Sequence, residues 1–143
     1  MTSEKTQVTW IGPELRLLGE TSTGAAVFVD YVLPDEDRPS NGPAPMELLL
    51  TGLAGCTSMD VLSILRKKRQ PFTGLQVKAT GERREEHPKI FTKIHLEFIV
   101  TGAEVDPKAV ERAIELSQNK YCSAAAMLRE AAEITTSYRI LAE

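Results

Sequence analysis

Two cysteines, Cys56 and Cys122, are the only thiols in this chain of 143 residues, and they stand 66 positions apart. Cys56 sits in LAGCTSMD, inside a long apolar run and four residues before Asp60; Cys122 sits in KYCS, ahead of the alanine-rich AAAMLREAAE. A thiolate can attack an electrophile, climb the oxidation ladder from sulfenic acid, or close a disulfide with a second thiol. A free cysteine is also among the most buried residue types, so a packing role stands beside the reactive one for both residues. At Cys122, Ser123 is placed to cap a short helix whose unpaired N–H groups and dipole would favour an anion, which predicts a reactive thiolate there. Cys56 is far from either helix end, and Asp60 stands one turn along from it as a second negative group. Neither cysteine belongs to a CxxC pair, and His87 and His95 lie in a hairpin pattern, so no metal ligand set of the usual spacing is expected.

The elements that position these thiols can be read from pattern and punctuation. QVTWIG, LRLLGE and AAVFVDY read as three early strands separated by Gly, Pro, Glu and Thr/Ser, with Trp10 and Phe28 expected in the core. The Pro-, Asp-, Asn- and Gly-rich LPDEDRPSNGPAP is a surface loop. A helix is expected from Pro45 to about Arg69. Pro45 suits the first turn, Glu47 the positive end of the dipole, and Arg66, Lys67, Lys68 and Arg69 the negative end. At ~1.5 Å per residue this is a rod of ~37 Å, comparable with the diameter of a compact chain of this size. Leu48, Leu49, Leu50, Leu53, Ala54, Val61, Leu62, Ile64 and Leu65 wrap most of its circumference, which predicts burial on nearly every side. One small domain covers such a helix poorly, so a second copy of the chain, in a symmetric homodimer, is expected to complete the burial.

Further on, Leu75 to Arg83 and a longer strand carrying Ile90, Ile94, Leu96, Phe98 and Val100 on one face make an antiparallel hairpin around EEHPK. Asp106–Pro107 starts a helix that runs to about Asn119, KYCS interrupts it, AAAMLREAAE forms a short helix, and ITTSYRIL a final strand. The order is α+β rather than a βαβ repeat, in one domain spanning 1–143. A formal charge of −3 without a basic stripe argues against nucleic acid, and RKKR reads as a solvated helix end. No uninterrupted apolar run is long enough to cross a bilayer and no leader pattern opens the chain, so a cytoplasmic protein without a membrane partner is expected. His87 is expected in an exposed turn, and His95, on the polar face of its strand, is given no catalytic role.

The motif P-x-E-L-L-L-x-G-L-A-G-C-T-S-x-D on the central helix, followed by a second cysteine in KYCSAAAML before a short helix, resembles the OsmC/Ohr family of osmotically inducible and organic hydroperoxide resistance proteins. The resemblance covers nearly the whole chain in element order and is most specific at APMELLLTGLAGC and NKYCS. It implies an OsmC-like fold, an intertwined homodimer with two long helices at its centre wrapped by antiparallel sheet. It also implies a thiol peroxidase in which Cys56 attacks an organic hydroperoxide, Cys122 resolves the product as a disulfide, and a dithiol, of lipoyl type in this family, reopens it. No cofactor is implied. The protein would then serve as an antioxidant in the oxidative stress response.

This chain departs from the family pattern at three places. Counting back from Cys56, the glutamate of active members falls on Met46, with Glu47 one residue later and turned by ~100° on the helix. Glu47 can equally serve the helix N-terminus. The arginine that holds the thiolate in active members has two counterparts here, Arg16 and Arg38, neither in the usual setting, and the usual CP after the second cysteine is CS. An alternative therefore stands beside the enzyme: a non-catalytic dimeric binding protein that keeps an apolar pocket and both thiols with little turnover.

Overall fold

The computed structural model describes residues 3–143, which fall into two compact units, one ending at Leu49 and the other running from Leu50 to Glu143. In the first unit, β1 (Thr6–Trp10), β2 (Arg16–Thr21) and β3 (Ala26–Asp30) form an antiparallel meander in the order β1-β2-β3. Register sets Trp10, Leu17 and Val29 side by side, and Thr9, Leu18 and Phe28 on the opposite face. Trp10 and Phe28 are not core residues: they stay 63% and 57% exposed. The Trp10 ring instead lies over Gly12 and its Nε1 donates to the Glu14 carbonyl at 2.9 Å, which fastens the β1–β2 turn. Alternation marked which residues share a face of this sheet, but within one chain little apolar surface covers that face.

The helix α1 (Pro45–Lys67) begins where Pro45 predicts. Glu47 Oε1 accepts the Ala44 N–H at 2.9 Å, the side-chain half of a capping box, so this carboxylate does serve the helix start. Its buried residues are Leu53, Thr57, Val61 and Leu65, a single seam of four-residue spacing, while Leu49 is 47% and Met59 73% exposed. Burial on nearly every side is therefore not achieved within one chain. By length and composition α1 could also cross a bilayer, because its leucine, isoleucine, valine and alanine residues outweigh the glycine, serine and threonine positions that break the apolar run. Here one of its seams is buried in the fold.

The second unit holds β4 (Gly74–Arg83), β5 (Phe91–Thr101) and β6 (Glu133–Leu141) in the order β4-β5-β6. The β4/β5 hairpin is antiparallel and β6 joins the other edge of β5 in parallel. On β5, Ile94, Leu96, Phe98 and Val100 are buried as alternation predicts; Ile90 falls just outside the strand and is 37% exposed. At Gly81 an added Cβ would meet Phe91 at 2.6 Å and Leu50 of α1 at 3.3 Å, so this glycine lets helix and strand approach. Between β5 and β6 run α2 (Pro107–Leu116), a π-helical turn (Ser117–Tyr121) and α3 (Ser123–Leu128). Asp106 caps α2 by accepting the Lys108 N–H at 3.0 Å, and Val110, Ala113 and Ile114 bury its apolar stripe. The second short helix stops at Leu128, earlier than AAAMLREAAE suggests, and residues 129–132 form a turn. His95 joins the two strands of the parallel pair through Thr135 at 2.7 Å and Ser137 at 2.8 Å, and His87 is exposed.

Candidate functional site

On α1, Cys56 and Asp60 are one turn apart, beside the buried seam of Leu53, Thr57 and Val61. Facing them is the π-helical turn, where the Cys122 N–H reaches back five residues to the Ser117 carbonyl at 2.7 Å. This widened turn presents Ser117 and Gln118 toward α1 and brings Cys122 to the start of α3. Such single π turns inside α-helical runs recur at functional sites. The outcome is convergence of residues far apart in sequence: Cys56 Sγ, Cys122 Sγ and an Asp60 carboxylate oxygen all lie within 4.8 Å of one another. Both cysteines are free thiols, with Cys122 buried and Cys56 partly accessible.

A hydrogen-bonded chain of side chains braces this triad. Ser117 Oγ donates to Asp60 Oδ2 at 2.8 Å, Thr57 and Ser117 hydroxyls share a bond of 2.7 Å, and Gln118 Nε2 donates to Thr57 Oγ1 at 3.0 Å. Arg129 Nη2 donates to the Gln118 carbonyl at 2.7 Å, tying the far end of α3 to the π turn. Thr57 and Ser117 are fully buried, so this network fixes how α1 and the π turn meet. A cleft of about 330 Å³ reaches Asp60 from outside, walled by Ile64, Leu116 and Tyr121 with Lys67 and Lys68 at its edge.

Cys122 itself, not Ser123, caps α3: its sulfur accepts the Ala125 N–H at 3.3 Å. The expectation of a stabilised thiolate there is overturned. Burial pushes the thiol up to about 11, the Ala125 N–H pulls the other way, and Cys56 and the Asp60 carboxylate add smaller pushes in the direction of burial. A helix of one and a half turns offers too little dipole to offset the loss of water and the Asp60 carboxylate nearby. Asp60 was read from the sequence as a neighbour of Cys56, whereas Thr57, Ser117 and Gln118 were not identified as partners of the thiols. Those three are joined by contacts 60 and 61 residues apart, for which the sequence carries no local signal.

Both arginines considered for the thiolate are engaged within the first unit. Arg38 binds the buried Asp30 with two bonds, Nη1 to Oδ2 at 2.9 Å and Nη2 to Oδ1 at 3.0 Å. The Asn41 N–H adds a third at 2.9 Å, and Arg16 Nε stands 3.8 Å away. The Arg38 hydrogen bonds, helped by Asn41, hold the Asp30 carboxyl down to about 2.

The OsmC-like protein family profile matches residues 36–137, and the chain belongs to this family. Protein YhfA of Escherichia coli K12 is 45% identical over 136 residues, covering 95% of this chain and 97% of the relative. A crystal structure of a hypothetical protein from Aquifex aeolicus has 32% identity and a TM-score of 0.82, covering 98% of both chains. An organic hydroperoxide resistance protein from Elizabethkingia anophelis shares the fold at 15% identity and a TM-score of 0.71, covering 97% of this chain and 98% of its own.

Proposed function

We propose that this OsmC-like chain is a thiol peroxidase for organic hydroperoxides, with Cys56 as attacking and Cys122 as resolving residue. The observation that carries the reading is the approach of two sulfurs 66 residues apart to within 4.8 Å, beside a carboxylate and a cleft that opens to solvent. In the cycle, Cys56 sulfur attacks the distal peroxide oxygen; the O–O bond breaks, an alcohol leaves with the thiol proton, and Cys56 becomes a sulfenic acid. Cys122 sulfur then attacks Cys56 sulfur and displaces the hydroxyl, which leaves as water with the Cys122 proton, and the disulfide forms. Asp60 is placed to take up that proton and pass it to the leaving oxygen. A dithiol supplied from outside reduces the disulfide by exchange and is itself oxidised to a disulfide.

Membership of a family that includes proteins named for organic hydroperoxide resistance supports this reading. A homodimer is part of the proposal, favoured by the apolar surface one chain leaves uncovered: Leu49 and Met59 on α1, and Val8, Trp10, Val27 and Phe28 on the meander. One observation favours the binding-protein alternative instead. Arg16 and Arg38, which could hold a thiolate, are both engaged with Asp30.

The test is consumption of cumene hydroperoxide by the purified protein with dihydrolipoamide, beside Cys56→Ser and Cys122→Ser. Turnover lost in Cys56→Ser, and a single stoichiometric event followed by arrest in Cys122→Ser, is the expected pattern. Equal background rates in all three would leave the binding protein as the correct reading.

A further inference from the structure

The same convergence that brings two thiols together also assembles a donor set that no local sequence spacing shows. Cys56 and Cys122 offer two soft sulfur ligands and Asp60 one hard oxygen, all mutually within 4.8 Å. We infer that the Cys56–Asp60–Cys122 triad is a binding site for a thiophilic divalent cation, of which Zn²⁺ is the best fit. Two thiolates and a carboxylate disfavour Mg²⁺ and Ca²⁺, which need an all-oxygen shell, and suit a four-coordinate ion whose last position is open to water.

Geometry and surroundings agree with this assignment. Zn–S bonds of ~2.3 Å and Zn–O bonds of ~2.0 Å in a tetrahedron set donors ~3.5–3.8 Å apart, so the triad closes on the ion by ~1 Å of side-chain rotation. The outer contacts are those that orient metal ligands. Ser117 Oγ donates to Asp60 Oδ2 at 2.8 Å, Thr57 supports Ser117 at 2.7 Å, and the Ala125 N–H donates to Cys122 Sγ at 3.3 Å. The ligands come from two different elements, α1 and the start of α3, so a bound ion would also clamp α1 to the π turn. One of the three donors, Asp60, lines a cleft open to solvent.

Metal and disulfide use the same two sulfurs and exclude each other. Oxidation of the loaded site takes two electrons from the two thiolates. With an organic hydroperoxide as oxidant, the O–O bond breaks, two protons are taken up, alcohol and water form, the S–S bond closes, and Zn²⁺ is released. The choice of hydroperoxide as oxidant rests on the proposed peroxidase activity; the metal site does not.

The experiment uses reduced, chelator-stripped protein titrated with Zn²⁺ against a chromophoric chelator, and with Co²⁺ to read coordination by its thiolate charge-transfer and tetrahedral ligand-field bands. One ion per chain is expected, with sulfur charge transfer. Affinity should fall at least 100-fold in Cys56→Ser and in Cys122→Ser, and ~10–100-fold in Ser117→Ala, which removes only an outer contact. Circular dichroism shows that each variant is folded. Adding diamide, a general dithiol oxidant, should release the ion from the wild type in one step with disulfide formation. Release by diamide but not by cumene hydroperoxide upholds the metal site and refutes the peroxidase. Less than one ion per chain, a Co²⁺ spectrum without sulfur charge transfer, or undiminished binding in folded Cys122→Ser would overturn the inference.

Discussion

Cys122 should be a slow, late-ionising thiol, and its alkylation rate measures this directly. With the thiol pushed from an ordinary 9.0 to about 11, chiefly by burial, the ionised fraction at pH 8 drops from ~10% to ~0.1%, a hundredfold loss of the reactive form. A thiolate of higher pKa is intrinsically more nucleophilic, which returns a factor of ~8 when the rate constant follows basicity with a slope near one half. The net expectation is a reaction about tenfold slower than for an unperturbed thiol, before any further slowing from restricted access. The assay is a timed iodoacetamide pulse on reduced, chelator-treated protein followed by tryptic peptide quantification. Cys122 reports from the peptide Tyr121–Arg129, bounded by Lys120 and Arg129, while Cys56 falls in a separate fragment. The same peptide free in solution is the control. Between pH 8 and pH 10 the native rate should climb close to tenfold per pH unit. In Cys56→Ser one source of the upward push is gone but burial remains, so the rate should rise without reaching that of the peptide. A curve that levels off at or below pH 9 in folded protein, or a native rate equal to the free peptide's, would refute the electrostatic account of this site.

Other consequences concern the scaffold. Phe98 is fully buried on β5, and Phe98→Ala should cost about 3–5 kcal/mol in urea unfolding, with a value under ~1 kcal/mol contradicting its place in the core. Thr57→Val keeps the shape but deprives the Ser117 hydroxyl and Gln118 amide of a buried partner, so a loss of about 1–3 kcal/mol is expected by the same measurement. Asp30 is held down to about 2 against an ordinary 3.8 by its Arg38 and Asn41 hydrogen bonds. Its contribution to stability is present in full above about pH 4 and disappears as pH falls through 2. Acid titration followed by tryptophan fluorescence should therefore show a loss between pH 4 and pH 2 that is missing in Asp30→Asn; identical acid profiles would remove Asp30 as its source.

Element order was legible because each element carries a local signal. Pro45 and the basic run ending at Arg69 bracketed α1 within two residues, and alternation on β5 identified Leu96, Phe98 and Val100 as one buried face. The parallel pairing of β6 with β5 had no local signal, since residues 102–132 intervene and parallel register is set by tertiary packing. The π turn was equally hidden. SQNKY has no composition that distinguishes a five-residue repeat from an ordinary helix end, yet that turn aims Ser117 and Gln118 at α1 and positions Cys122. For the site, the two cysteines could be paired only through a family resemblance, and Asp60 only suspected from its spacing. Trp10 and Phe28 were misplaced because apolar identity signals burial against something, and a single chain does not say against what.

The electrostatics of the triad also bear on the order of events in the proposed cycle. A resolving thiol that ionised readily would place a second anion beside Cys56 and Asp60, and repulsion would weaken attack on an already electron-rich peroxide. Burial, with Cys56 and Asp60 adding to it, keeps Cys122 protonated, so the resolving sulfur is held back at the start. Once Cys56 carries a hydroxyl as a neutral sulfenic acid, the negative charge it could bring to Cys122 is gone, and the Asp60 carboxylate is left as the nearby acceptor for the Cys122 proton. A divalent cation acts on the same groups with the opposite sign, since a positive charge between the sulfurs favours both thiolates at once and holds them away from each other. On the proposed cycle and the inferred metal site, one small volume would take three mutually exclusive occupants: a proton on Cys122, a metal ion, or an S–S bond. Which one prevails depends on pH, on free metal and on oxidant, all through the few ångströms that separate α1 from the π turn.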